Sequence, residues 1–323
     1  MKRGRCDILP VAALCTSAYD CTMITTSARQ TIRIGHSPDP DDAFMWYPLA
    51  NFPSNTGPGG KTYTPTIDTV KYDFVHVLED IQSLNERSAR AELEITAISI
   101  HQYPYVAKDY ALTSCGSSMG DGYGPMIVVP ANSKITVNDL SKIRIAIPGE
   151  RTTAFLALSL MLGKKPTNYD VVMFDQIIPK VVAGEYEAGL IIHEGQLTYG
   201  DVGLRCVVDL GKWWTDSRKL PLPLGGNAIR RDLGVPEMRK ICTILLRSIE
   251  YALAHRAEAV EYALNYARDM GSELADEFVG MYVNQWTLDY GPRGRAAVKQ
   301  LIKESIAANL IPDCGEVDLV EPG

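Results

Sequence analysis

The feature of this 323-residue chain that most constrains its fold is a regular alternation of short apolar segments with helical segments. Residues 31–37, 93–100 and 188–193 have the length and branched apolar composition of strands, and stretches with helical periodicity lie between such segments. Short strands that alternate with helices predict a mostly parallel sheet. The alternation runs twice before a purely helical region, which predicts an α/β fold of two lobes with a ligand cleft between them.

The order of the segments also predicts how the chain divides between the lobes. We expect the second lobe, residues 131–224, to be inserted into a first lobe formed by residues 31–130 and 225–323. Residues 1–30 show no clear period and are expected to be a disordered extension or the result of a start codon set too far upstream. Their apolar run is only about seven residues long and contains Pro10, which argues against an export signal.

Charge and composition exclude several classes of partner. The formal net charge is -7 without a basic stripe, so we do not expect the chain to bind nucleic acid. No apolar run approaches the ~20 residues that span a bilayer. The seven cysteines are scattered and form no CxxC pair, which is typical of reduced thiols in the cytoplasm. We therefore expect a cytoplasmic protein with a small-molecule ligand, and the sequence leaves its oligomeric state open.

The clearest candidate for chemistry is His193. It directly follows Gly189, Leu190, Ile191 and Ile192, which have the pattern of a buried strand. In open α/β sheets, ligands bind beyond the carboxyl ends of the strands, so the imidazole is placed where a reactive group would be expected. A core histidine that caps the strand through one hydrogen bond is the alternative interpretation.

Three turns could contact a ligand in the cleft. The turn at residues 148–154 precedes an apolar helix, and the hydroxyls of Thr152 and Thr153 with the free N–H groups of the helix could bind an anion, although a simple helix cap also explains them. It lacks the lysine of a nucleotide P-loop. The acidic turn at residues 37–42 is expected to cap a helix rather than to hold a metal ion. The glycine-rich segment 116–125 suits either close backbone approach to a ligand or a crossover between lobes.

Aromatic residues outside these turns have ordinary structural explanations. Trp213 and Trp214 could line a pocket for a ring, or they could pack between the lobes. Leu274, Phe278 and Tyr282 fall on one face of a C-terminal helix and are predicted to be core residues.

Six motifs together resemble a known enzyme family. They are, in chain order, HSPDPDDAF, SMGDGYGP, PGERTTAFLAL, AGEYEAGLIIHEGQLTY, VVDLGKWW and LPLPLGGN. This set is similar to the 1,4-dihydroxy-6-naphthoate synthases of the futalosine route to menaquinone, from Thr31 to the C-terminal helices. The resemblance implies a type II periplasmic-binding-protein-like fold and a carbon–carbon lyase that converts cyclic dehypoxanthine futalosine to 1,4-dihydroxy-6-naphthoate, with neither cofactor nor metal.

The resemblance also implies roles for individual residues. His193, in the matching IIHE motif, would be the general base. A carboxylate of the substrate would bind in the threonine turn, and two serines would line the cleft. The resulting substrate-binding candidates are Ser37, Ser99, Thr152, Thr153 and Ala154.

One turn departs from the family pattern. The family turn often reads SPCPND, whereas this chain has SPDPDD, so Asp39 and Asp41 replace a thiol and an amide. Negative charge beside a carboxylate-bearing substrate is unfavourable unless it is screened. Contact between this turn and the substrate is therefore left open.

Two other functions remain alternatives. One is a non-catalytic solute-binding protein of the same fold. The other is chorismate dehydratase, an enzyme of the same pathway with a related fold. The histidine of the IIHE motif, His193, and the turn with the sequence PLPLGG argue against the dehydratase.

Overall fold

The structure is a computed structural model that describes residues 29–266 and 271–323. The expected N-terminal extension, residues 1–30, therefore lies outside the described residues, apart from its last two positions. Arg29 is bonded to Asp73, and Gln30 begins the first strand.

The described residues form twelve strands and twelve α-helices. The strands are β1 (Gln30–His36), β2 (Tyr72–Leu78), β3 (Ile95–Ser99), β4 (Tyr110–Thr113), β5 (Ser118–Gly120), β6 (Met126–Pro130), β7 (Ile145–Ile147), β8 (Tyr169–Val171), β9 (Ala188–Ile191), β10 (Leu204–Asp209), β11 (Leu222–Arg230) and β12 (Leu319–Val320). The helices are α1 (Pro40–Trp46), α2 (Ile81–Ser88), α3 (Tyr103–Val106), α4 (Thr153–Leu162), α5 (Ile177–Val182), α6 (Gly195–Thr198), α7 (Leu210–Arg218), α8 (Val235–Ala254), α9 (Arg256–Ala263), α10 (Ser272–Tyr282), α11 (Gln285–Leu288) and α12 (Gly291–Ala307).

The strands assemble into two separate sheets. The first has the order β12-β4-β11-β3-β1-β2, with β5 paired to β11, and the second has the order β10-β6-β9-β7-β8. The chain passes to the second sheet between Gly120 and Met126 and returns between Asp209 and Leu222. The division into an inserted lobe, residues 131–224, and a discontinuous lobe remains a prediction about domains.

The expectation of a mostly parallel sheet is wrong, because both sheets are mixed. β1 runs parallel to β2 and β3, but β11 runs antiparallel to β3, β4 and β5. In the second sheet, β6 is antiparallel to β9 and β10. The crossing of the chain explains this arrangement. β3 and β9 end near the space between the sheets, and β11 and β6 start there, since Gly225 pairs with Ser99 and Met126 with Ile191.

Local sequence determines where several helices begin and end. The side chain of Asp80 accepts hydrogen bonds from the backbone N–H groups of Gln82 and Ser83 at the start of α2. Thr152 caps α4 in the same manner, and Gly163 ends that helix with a positive φ of 70°. Asp209 caps α7. These caps place the turns that precede α4 and α7 firmly against the sheet ends.

One predicted strand is displaced. The apolar sequence VVMF at residues 171–174 predicts a strand, but β8 is Tyr169–Val171, and Phe174 lies in a short 3-10 helix. β8 is an edge strand that pairs only with β7 among the described residues, so its side chains need not be apolar. Phe174 instead packs against the ring of His193.

The described helices include none that is both long and apolar enough to span a bilayer. The helical region after β11 covers the first sheet. Its longest helix, α8, buries the face formed by Met238, Ile241, Leu245, Ile249 and Ala252, as its periodicity predicts.

Candidate functional site

A cavity of about 120 Å³ lies between the two sheets. Its wall combines the ends of β1 and β3, the start of β11 and the first turn of α4. All five substrate-binding candidates contribute to this wall, namely Ser37, Ser99, Thr152, Thr153 and Ala154. Their separation in sequence shows that the fold brings them together, while their roles toward a ligand remain predictions.

The threonine turn is bonded to backbone groups of the first sheet. The hydroxyl of Thr153 donates to the carbonyl of Leu224 at 2.5 Å and accepts from the N–H of His101 at 3.2 Å. The hydroxyl of Thr152 donates to Gly149 and accepts from Phe155. The single hydrogen of each hydroxyl is therefore already used within the protein.

The donors that remain at this turn are backbone amides. The N–H groups of Thr153 and Ala154 have no acceptor among the described residues, as expected in the first turn of a helix. Both residues line the cavity. Unpaired amides at a helix N-terminus favour an anion, so this end of the cavity can bind a carboxylate through the backbone.

Ser99 is held by a buried asparagine. Its N–H donates to Oδ1 of Asn85 at 2.9 Å, and Nδ2 of Asn85 donates to Oγ of Ser99 at 3.1 Å. Asn85 lies on α2 and its side chain is completely buried. No sequence pattern selects Asn85, because its role depends on the packing of α2 against β3.

His193 lies beside the cavity rather than in its wall. Its neighbour Ile192 lines the cavity, whereas the His193 side chain is buried against Phe174, with a ring separation of 5.6 Å. The N–H of Gly195 donates to Nδ1 of His193 at 3.0 Å. A β-carbon at Gly195 would lie 2.6 Å from Cε1 of the ring, so only glycine permits this packing.

A second histidine that the sequence did not single out lies closer to the threonine turn. Nδ1 of His101 is 3.1 Å from the carbonyl oxygen of Thr152, and the residue follows β3 directly. Burial lowers the pKa of His101 to about 4, so its ring is neutral at neutral pH. It is a supporting element of the turn and not a charged group of the site.

The acidic turn does contribute to the cavity wall, through Asp39, Asp41 and Asp42. Burial raises the pKa of Asp42 to about 7, although the N–H of Ser37 donates to its Oδ2 at 2.8 Å and opposes the shift. Burial and the neighbouring carboxylates raise the pKa of Asp41 well above its ordinary value. The charge of this turn is therefore reduced by bound protons near neutral pH.

Three other residues of the cavity wall were not predicted from the sequence to line a cavity. Phe278 and Tyr282, predicted to be core residues, are buried but also line the cavity. Asn227, on β11, lines it as well. The helical period identified the buried face of α10, but periodicity does not distinguish a core from a cavity wall.

The two tryptophans lie elsewhere. Trp214 is completely buried and donates to the carbonyl of Pro221, and Arg218 stacks on both Trp213 and Trp214. Neither is part of the cavity wall, so the pocket interpretation is not supported by their position. Within residues 29–266 and 271–323, three or more His, Cys, Asp or Glu side chains nowhere meet in an arrangement that could hold a metal ion.

Comparison with known proteins gives a consistent result. A family model described as menaquinone biosynthesis matches residues 32–305. A curated protein of Thermus thermophilus, named 1,4-dihydroxy-6-naphthoate synthase, is 38% identical over 87% of this chain and 96% of its own length. A protein of the same name from Streptomyces coelicolor is 32% identical over 90% of this chain and 99% of its own.

Solved structures show the fold. A protein of Archaeoglobus fulgidus is 43% identical, with a TM-score of 0.77, over 87% of this chain and 98% of its own. An alkanesulfonate-binding protein of Xanthomonas axonopodis has a TM-score of 0.63 at 14% identity, over 90% and 97% of the two chains. A Candida albicans protein described as having the generic periplasmic binding protein fold has a TM-score of 0.59 at 11% identity, over 91% and 98%. The predicted α/β fold of the periplasmic-binding-protein type is confirmed.

Proposed function

This chain belongs to the menaquinone biosynthesis family, and we propose that it is a 1,4-dihydroxy-6-naphthoate synthase. In this function it would cleave cyclic dehypoxanthine futalosine and release 1,4-dihydroxy-6-naphthoate. The observation that carries the proposal is the 38% identity to the Thermus thermophilus synthase over 96% of that protein. A cavity whose wall includes all five substrate-binding candidates supports it.

In the proposed reaction, the backbone amides of Thr153 and Ala154 bind the substrate carboxylate. They are the donors left unpaired at the start of α4, since the threonine hydroxyls are used elsewhere. A carboxylate bound there is fixed in the cleft, and the remaining substrate extends toward the wall formed by β1 and β11. Binding and orientation of this kind lower the barrier by holding reacting groups in place.

His193 is the proposed general base. In a neutral imidazole one nitrogen carries the hydrogen and the other accepts. Because the N–H of Gly195 donates to Nδ1, the hydrogen of neutral His193 is on Nε2 in this conformation. Proton removal therefore requires the ring to leave Gly195 or to exchange its tautomer, and we propose that this accompanies substrate binding, since the ring does not line the cavity here.

The proposed setting is the cytoplasm, with a carboxylate-bearing small molecule as the ligand. The scattered cysteines and the biosynthetic family support this setting. Two alternatives remain. One is a solute-binding protein, because this chain shares its fold with the alkanesulfonate-binding protein of Xanthomonas axonopodis. The other is chorismate dehydratase.

One experiment separates the three functions. Purified protein is incubated with cyclic dehypoxanthine futalosine and, separately, with chorismate, and products are identified by liquid chromatography and mass spectrometry. Release of 1,4-dihydroxy-6-naphthoate from the first substrate alone is the expected result. Consumption of chorismate would support the dehydratase, and binding without turnover of either compound would support a solute-binding protein.

A further inference from the structure

The acidic turn is the part of the cavity wall to which the proposed reaction gives no role. Asp39, Asp41 and Asp42 all line the cavity that would receive a carboxylate-bearing substrate. Three ionised carboxylates there would repel such a ligand, and the repulsion is strong where water is excluded. Neighbouring carboxyl groups relieve this repulsion by retaining protons.

The contacts of the turn indicate which carboxyl retains a proton. Oδ2 of Asp42 accepts the N–H of Ser37, which favours the ionised form of Asp42. Burial raises the pKa of Asp41 well above its ordinary value, and the charges of Asp42 and Asp39 raise it further. Burial and the two neighbouring charges thus favour the neutral form of Asp41, against the backbone hydrogen bonds of Asp41 and Asp42, which lower its pKa.

The elements packed against α1 contribute few other titratable groups. α8 contacts it through the hydroxyl of Ser248, which does not titrate in this range. Among residues 29–266 and 271–323, the titratable or charged groups near the turn include Asp39, Asp42 and His36 on its own segment, Tyr282 on α10, and Arg256 on α9, which is paired with Asp276.

A second group in the same wall also indicates a ligand. Asn227 is 1% exposed, and its Nδ2 donates to the carbonyl of Gly116 at 2.8 Å. This bond fixes the amide orientation, and Oδ1 of Asn227 has no hydrogen-bond partner among the described residues. A buried acceptor without a partner is unfavourable, so a group that donates to it is expected when the cavity is occupied.

We propose that Asp41 is a specificity-determining residue, which donates a hydrogen bond from its carboxylic acid to an oxygen of the ligand. Asn227 accepts a hydrogen bond from a hydroxyl of the same ligand. The ligand class is thus a hydroxylated carboxylate whose carboxylate lies at α4 and whose hydroxyl groups face β1 and β11. This inference rests on the proposed function, which supplies the carboxylate of the ligand.

A dependence of affinity on pH follows from this role. At a pH below the pKa of Asp41, the acid donates its hydrogen bond. As the pH rises through that pKa, Asp41 loses the donor and gains a negative charge that repels the ligand. Affinity therefore falls, by up to about tenfold for each pH unit above the pKa, because one proton is linked to binding.

The test uses isothermal titration calorimetry between about pH 6 and about pH 8.5, a range in which the carboxylate of the probe stays ionised. The probes are 6-hydroxy-2-naphthoate and 2-naphthoate, which lacks the hydroxyl. For the unaltered protein, the affinity for the hydroxylated probe should fall with pH and should fall more than that for 2-naphthoate. Asp41→Asn keeps a donor that does not titrate, so the two probes should then show the same decline, which Asp42 causes through its own ionisation.

Asp39→Asn is the matched control for charge. It removes a neighbouring carboxylate and leaves Asp41 in place, so the decline should persist and move to lower pH. The inference would be overturned if Asp41→Asn kept the larger decline for the hydroxylated probe. It would also be overturned if the unaltered protein showed an equal decline for both probes, or if the decline moved to higher pH in Asp39→Asn. Thermal unfolding of each variant verifies that it is folded.

The failure of this inference is distinct from failure of the proposed function. Absence of binding by both naphthoates at every pH would overturn the ligand class and the inference together. Binding that shows none of the expected dependence on Asp41 would overturn the inference alone, and the turnover assay would be unaffected.

Discussion

Two turns face the cavity from opposite sheets, and they are fixed in different ways. The acidic turn after β1 is bonded largely within itself, through Ser37, Asp39 and Asp42. The threonine turn after β7 is bonded to the other sheet, since Thr153 contacts Leu224 and the N–H of His101. The sequence predicted a helix cap at both turns, with an anion site as the other interpretation of the threonine turn.

This difference shows how the two ends of the cavity can act. The threonine turn couples the position of α4 to β11, where the chain returns from the second sheet to the first. A change there is therefore expected to affect both binding and stability. In the acidic turn, the N–H of Ser37 donates to Asp42 within the turn itself, so changes in the protonation of Asp42 are expected to affect the ligand and the stability of its own sheet.

The largest expected effect concerns His193, the proposed general base, which lies at the end of a strand and belongs to neither turn. His193→Asn should lower kcat by about two to four decades, the usual contribution of a general base. The asparagine can still accept the N–H of Gly195, so the fold should be retained. Turnover of cyclic dehypoxanthine futalosine and ligand-induced stabilisation measure the two properties.

His255→Asn is the matched control for this prediction. His255 is exposed at the end of α8, far in sequence from the cavity wall, and its replacement should leave kcat unchanged. Near-normal turnover by His193→Asn, or its failure to fold, would mean that His193 is structural and would favour the solute-binding alternative.

A smaller effect tests the bond between the sheets. Thr153→Val removes the hydroxyl and leaves the N–H of His101 without its acceptor, while the carbonyl of Leu224 keeps the hydrogen bond from the N–H of Ile100. We expect this change to reduce the free energy of unfolding by about 1–3 kcal/mol and to raise KM. Thr153→Ser retains the hydroxyl and should behave as the unaltered protein. If both variants behave alike, the bonds of Thr153 do not couple the turn to β11.

The smallest effect tests the acidic turn. Burial raises the pKa of Asp42 in the folded state to about 7, well above the ordinary value of an aspartate, so the folded protein retains a proton that the unfolded chain releases. Its contribution to stability is therefore present at low pH and is lost as the pH rises from about 4 to about 7. Asp42→Asn keeps an oxygen that can accept from Ser37 and removes this loss.

Urea unfolding at about pH 5 and about pH 8 measures the prediction. From about pH 5 to about pH 8, the free energy of unfolding of the unaltered protein should fall by about 1–2 kcal/mol more than that of Asp42→Asn. The difference is kept to this size because Asp42 retains some contact with solvent. If the unfolding free energies of Asp42→Asn and the unaltered protein differed by the same amount at both pH values, Asp42 would be ionised at both.

Sequence patterns gave most of the elements of the fold. The strands around residues 31–37 and 188–193 and the helix that Thr152 caps were predicted close to their observed bounds. The antiparallel direction of β6 and β11 was not predicted, because the direction of a strand depends on the end of the sheet at which the returning chain enters. β8 was displaced because an edge strand tolerates polar residues while Phe174 packs beneath His193.

The candidate site was predicted in part. Motif resemblance selected Ser37, Ser99 and Thr153, which line one cavity. Resemblance did not identify Asn85 or Asn227, since each acts through bonds to residues distant in the chain. Nor did it reveal that the Thr153 hydroxyl is used by backbone groups of the first sheet.

The sequence by itself determined the two-lobed α/β architecture, the family and the identity of the candidate residues, because these depend on periodicity, turn residues and local motifs. Only the tertiary structure decided which groups remain available to a ligand. Hydrogen bonding is a competition among all nearby donors and acceptors, and burial alters the charge of a carboxyl group. The free amides of Thr153 and Ala154, the unpaired oxygen of Asn227 and the raised pKa of Asp41 follow from neighbours that no short segment of the sequence contains.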